Sequence, residues 1–115
     1  MSAAQTPGAE HRRVDFARVN DAAMRNPEAV VRAFLPDGRR EGAELVARNP
    51  KRDDRRPGSF KVNLNTGKWA DFAAEDGARG GDLVSLAAYV TGLNQRDAAL
   101  SLAESLGVDP YEGGR

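Results

Sequence analysis

A chain of 115 residues with 40% apolar side chains is the size of one domain and can bury a modest core. It contains no cysteine, which excludes disulfides and thiolate metal sites together, so stability must come from packing and hydrogen bonds. Seventeen basic and seventeen acidic side chains cancel, so net charge says nothing about a polyanionic partner and the distribution has to decide.

That distribution is uneven. Residues 48–68 hold Arg48, Lys51, Arg52, Arg55, Arg56, Lys61 and Lys68 against Asp53 and Asp54, a local charge of +5 that leaves −5 elsewhere. Attraction to phosphate acts within a Debye length of about 8 to 10 Å, so this segment suits a local phosphate-contacting surface; a solvated loop is the plainer alternative. No run of about 18 apolar residues spans a bilayer, and the start MSAAQTPGAEHRR has no apolar stretch after its charges. The expectation is a soluble, cytoplasmic protein with no membrane partner.

Residues 1–12 show no apolar period and 109–115 end in Gly and charge, so both are expected to be disordered tails around one domain over 13–108. Val14 to Met24 fits a short helix loosely. Asn26-Pro27-Glu28 supplies a cap, a first-turn proline and an acid for a second helix through Leu35, which Pro36-Asp37-Gly38 breaks. A first strand is expected over Ala43 to Ala47. Phe60, Val62 and Leu64 then alternate with Lys61, Asn63 and Asn65, and after Asn65-Thr66-Gly67 the run Lys68 to Phe72 returns as the second arm of a hairpin. The period of two assigns Phe60, Val62 and Leu64 to the core and Lys61 and Asn63 to the other face.

Gly77 to Gly81 reads as a tight structural turn before Asp82, the cap of a helix with Leu83, Leu86, Ala87 and Val90 at helical spacing and Gly92 at its end. That glycine stretch lacks the Gly-Lys-Ser/Thr ending of a nucleotide loop, and Asp82 would repel an anion there. Asn94, with Asp97 three residues on, resembles a capping box for a final helix with Ala98, Ala99, Leu102, Ala103 and Leu106 on one stripe, closed by Gly107. Asp71, Glu75, Asp76 and Asp82 read as turn and cap acids rather than a magnesium cluster. His11 falls in the N-terminal tail and no serine sits in a nucleophile elbow, so no catalytic residue, metal site or cofactor is expected.

From Asn49 to Asp82 the order of features resembles the zinc ribbon at the front of bacterial and phage DNA primases. In that family a Cys-Pro-x-His pair is followed by a basic segment ending in Pro-Ser-Phe, a hairpin, an aromatic before Cys-x-x-Cys, and Gly-Gly-Asp opening a helix. Here Asn49-Pro50 stands for Cys-Pro, Pro57-Gly58-Ser59-Phe60 matches with one extra glycine, and Gly80-Gly81-Asp82-Leu83 matches the helix entrance. The four positions matched to zinc ligands are Asn49, Arg52, Asp71 and Ala74, a set that cannot hold the metal. The tight match covers about a third of the chain and the following helical pair loosely.

The resemblance implies an α+β fold, a small antiparallel β-sheet with a zinc-ribbon-like hairpin lacking zinc, packed with N-terminal and C-terminal helices. It also implies a sheet surface that engages single-stranded template DNA in the replication of a plasmid, phage or other mobile element, beside a separate primase or helicase. The residues suited to that contact are Lys51, Arg52, Arg55, Arg56, Lys61, Lys68 and Trp69. Trp69 either stacks on a base or fills the volume that a lost metal leaves. The alternative function is a protein-interaction module, inhibitor or decoy that reuses the fold.

Overall fold

The computed structural model describes residues 12–51, 59–73 and 77–113. Two short helices come first. Asp15 accepts the Arg18 N–H at 3.0 Å and starts α1 (Phe16–Ala23), which buries Val19, Ala22 and Ala23. Pro27, needing no N–H partner in a first turn, opens α2 (Pro27–Phe34), which buries Val30 and Val31.

Five strands follow: β1 (Arg39–Glu41), β2 (Glu44–Ala47), β3 (Phe60–Asn63), β4 (Trp69–Asp71) and β5 (Arg79–Gly80). They form one antiparallel sheet in chain order, each strand paired with its neighbours in sequence. The chain closes with α3 (Leu83–Thr91) and α4 (Gln95–Leu106). Asp82 and Ser85 make a full capping box at α3, whereas at α4 only the Asn94 side chain caps, accepting from the Asp97 N–H. Gly92 and Gly107 end these helices in the left-handed conformation that a side chain would strain.

The fold is therefore α+β. The two faces of the sheet have opposite roles. On the inner face Leu45, Val62 and Trp69 fall in one cross-strand row and Ala47, Phe60 and Asp71 in the next. The apolar members join Leu83, Leu86, Ala99 and Leu102 of α3 and α4, with Val19 and Val31, in one hydrophobic core. The expected packing of Phe60, Val62 and Leu64 against Leu83 and Leu86 is present, and Val90 lies at its partly buried margin.

Three expectations change. Arg39–Glu41 forms a strand although all three residues are polar and exposed, because the hydrogen bonds to β2 and not burial stabilise this edge. Arg79–Gly80, read as part of a tight turn, pairs with β4. Residues 109–113, read as part of a frayed end, are held to the domain: Tyr111 bridges Val14, Pro110 C=O accepts from the Asp15 N–H at 2.7 Å, and the Glu112 N–H donates to Arg13 C=O at 2.8 Å. Val14 thus belongs to a bridge and not to α1, and Arg12, placed in the N-terminal tail, lies over the Tyr111 ring. Residues 1–11, with His11, and the last two residues lie outside the described part.

Candidate nucleic-acid interface

Strand β4 decides which aromatic ring can reach a partner. Val62 pairs with Trp69, and paired residues share a face, so Trp69 points into the core with Val62. It is 5% exposed, stacks on Phe60 at 5.6 Å between centroids with a 13° tilt, and packs on Tyr89 of α3 at 5.1 Å. Its indole N–H donates to Ser85 Oγ at 2.9 Å, which satisfies the one polar atom it buries. Of the two roles open to Trp69 the structure selects the core one, and its place among the stacking residues is corrected. Gly80 makes this possible, since a Cβ there would lie 2.5 Å from Trp69 Nε1 and 2.4 Å from Ser85 Oγ.

Beside this aromatic cluster lies a buried polar pair. Asn49 Nδ2 donates to Asp71 Oδ2 at 2.6 Å and to the Tyr89 hydroxyl at 2.8 Å, while Asn49 Oδ1 accepts from the Lys51 N–H and Asp71 Oδ1 from the Ala73 N–H. Both residues are at most 3% exposed. These are the first and third of the four positions matched to zinc ligands, and the side chains that meet there are hydrogen-bonded to each other. Arg52 and Ala74, the other two, lie outside the described residues. Among the described residues no cluster of three His, Cys, Asp or Glu side chains could hold a metal ion.

The open face has different chemistry. The register places Arg39, Val46, Lys61, Ala70 and Arg79 in one row across all five strands, cations on the first, third and fifth and small apolar residues between. Val46, between two of these cations, is itself buried. One step along, the Phe72 N–H donates to Ser59 C=O at 2.8 Å, and the Phe72 ring stands 73% exposed. Lys61 Nζ lies 5.6 Å from the centroid of that ring. The face thus presents a flat apolar ring and an ammonium side by side, groups able to take a flat base and its phosphate.

The expected contact residues scatter accordingly. Lys61 is at the centre of the open face, with the exposed Phe72 beside it. Lys68 is exposed at the turn end of β4, about 13 Å along the strand from Phe72 at the usual rise per residue. Lys51 sits over the Tyr89 ring of α3 at 5.1 Å, apart from the Lys61 row. Arg52, Arg55 and Arg56 fall outside the described residues. Phe72, Arg39 and Arg79 share this face without being among the expected contact residues, although the sequence carries a signal for Phe72. Pairing Val62 with Trp69 across the Asn65-Thr66-Gly67 turn fixes Phe72 on the face of Lys61. Acids mark the turn-proximal end of the same face, Glu41 and Glu44, and Glu41 holds Arg39 in an ion pair at 3.0 Å. The cationic part of the face is thus the end with Lys61, Arg79 and exposed Arg48 around Phe72.

A scan against models of known protein families finds no match to this chain, and a search of curated proteins finds none either. No helix among the described residues is long and apolar enough to cross a membrane.

Proposed function

We propose that this protein is a non-catalytic module that binds single-stranded DNA on the open face of its sheet, in the manner of a primase template-recognition module without its metal. The observation that carries this reading is Phe72, 73% exposed and flanked by Lys61 in a row of cations. A base stacked on such a ring contributes about 1 to 3 kcal/mol with little sequence preference, and the cations follow the phosphates. The hydrogen-bonded Asn49 and Asp71 support the primase-like part, because they give a metal-free way to tie the two ends of the ribbon together. Service to replication of a mobile element, beside a separate primase or helicase, follows from the same resemblance.

Fluorescence anisotropy with a short labelled oligothymidylate at two salt concentrations tests this. Phe72→Ala should weaken binding at both salts and leave the slope unchanged. Lys61→Gln or Arg79→Gln should each lower the slope by about 0.7 per phosphate contact, and Arg55→Ala/Arg56→Ala tests the basic segment that the sequence places between β2 and β3. A folded parent that binds no strand at low salt removes the nucleic-acid reading. The protein-interaction reading would then stand on the apolar groove of about 360 Å3 between α2, α3 and α4, floored by Val30, Ala87 and Leu102.

A further inference from the structure

A second concavity, of about 420 Å3, lies where the 12–14 segment and Glu112 meet the starts of α1 and α4, and none of its residues belongs to the sheet. Its lining is Arg12, Arg13, Val14, Phe16, Arg96 and Glu112. Three guanidiniums and one carboxylate around a single opening leave it with a charge of +2. The walls are held by backbone: the Val14–Tyr111 bridge and the Glu112-to-Arg13 hydrogen bond fix the first side, and the Asn94 cap fixes the turn of α4 that carries Arg96.

The three arginines differ in how far the protein itself satisfies them. Arg12 has Asp109 at 3.9 Å and the Tyr111 ring at 4.5 Å. Arg13 and Arg96 make no ion pair among the described residues, and neither does Glu112. Arg96 also sits in the first turn of a twelve-residue helix, where the backbone dipole disfavours a cation; Asp97 shares that turn but does not line the concavity. Like charges gathered at an unfavourable place gain most from an anion that bridges them. Phe16, 40% exposed at the start of α1, adds a flat apolar wall to the same opening.

We infer that this concavity binds a phosphorylated nucleoside, with its phosphate on Arg13 and Arg96 and its base against Phe16. The inference is independent of strand binding on the open face. The chemistry is shared by a free nucleotide and by the phosphorylated end of a strand, and the two sources are separable by experiment.

The test uses the full chain in NMR titrations that follow the arginine Nε–H and phenylalanine ring signals, with dAMP, inorganic phosphate and deoxyadenosine as probes. dAMP should move Arg13, Arg96 and Phe16 together, phosphate should move the arginines alone and bind more weakly, and deoxyadenosine should bind at least about tenfold more weakly than dAMP. Arg13→Gln/Arg96→Gln should lose about tenfold in dAMP affinity while melting with the parent, and Glu112→Gln should bind dAMP more tightly, because the opposing carboxylate is gone. Phe72→Ala should leave dAMP binding unchanged, which keeps this site and the open face distinguishable. In that Phe72→Ala background, tighter binding of a 5′-phosphorylated oligonucleotide than of its unphosphorylated twin assigns the strand end as the source, and equal weak binding of both assigns the free nucleotide. The inference is overturned if dAMP leaves the Arg13 and Arg96 signals unmoved at low salt, if the double variant binds dAMP like the parent, or if phosphate alone binds as tightly as dAMP.

Discussion

Trp69 and Phe72 stand three residues apart on one strand run and meet opposite fates. Trp69 is stacked into the core with its N–H satisfied, whereas Phe72 is the most exposed large apolar side chain described. Size and aromaticity do not separate them, and the bulkier ring is the natural first choice for stacking on a base. An odd step along a strand does separate them, since it reverses the side of the sheet. The cross-strand partner then names the side: Val62 opposite Trp69 is core, and Lys61 opposite Ala70 opens the other face.

Substitution on the two faces should break along the same line. Phe60→Ala and Trp69→Ala each remove a buried ring and should cost about 3 to 5 kcal/mol in denaturant unfolding, a loss that a domain of this size barely survives. Phe72→Ala should fall within about 0.5 kcal/mol of the parent. Equal losses at Trp69 and Phe72 would place both rings in one core and dissolve the distinction between the faces.

The next effect concerns adjacent glycines. Gly80→Ala forces a methyl against Trp69 Nε1 and Ser85 Oγ and should cost about 1 to 3 kcal/mol, with a red-shifted Trp69 emission as the ring loses its seat. At Gly81 an added Cβ meets nothing within 4 Å, so Gly81→Ala should be neutral or slightly stabilising. A neutral Gly80→Ala would mean that Trp69 is not pressed over β5.

A comparable loss is expected where the ribbon ends are joined. Asn49→Ala strips Asp71 and Tyr89 of a donor inside the protein and should cost about 1 to 3 kcal/mol. A chelator should leave the melting temperature of the parent unchanged, and elemental analysis should find no stoichiometric zinc. Zinc at one per chain, with unfolding on chelation, would overturn the matching of Asn49, Arg52, Asp71 and Ala74 to ligand positions.

Much of this architecture was legible in the residues. The alternation Phe60-Lys61-Val62-Asn63 gave the hairpin and its core face, and Pro27, Asp82 and Asn94 marked three helix starts, although Asn26, expected to cap the second helix, makes no side-chain cap hydrogen bond there. Strands β1 and β5 were not legible, since Arg39-Arg40-Glu41 and Arg79-Gly80 bury little and owe their form to a neighbour's hydrogen bonds. The docking of Tyr111 on Val14 was hidden for the same reason, being a contact between the two ends of the chain. At the candidate site the charge of the segment pointed to Lys61, but which cations share its face depends on the register. That is how Arg39 and Arg79, distant in sequence, entered the row while Lys51 left it.

The smallest expected effect tests a tie between a helix and the polar edge strand. Glu28 on α2 accepts from Arg40 of β1 at 2.8 Å and from Arg32 at 2.9 Å, and Arg32 also reaches Gly38 C=O. The Arg40 guanidinium first, and Arg32 second, hold the Glu28 carboxyl below its ordinary value of 4.5. A carboxylate with a lowered value in the folded state binds fewer protons there than in the unfolded chain, so its contribution to stability is complete at neutral pH. It fades as pH drops below about 4.5 and through the lowered value, and salt weakens it because the pair is partly exposed. Glu28→Gln should therefore melt slightly below the parent at pH 7 in low salt, with the gap closing both in acid and in high salt. If the gap persists in acid, Glu28 contributes through packing on α2 and not through its charge, and β1 is held to the sheet by its backbone ladder alone.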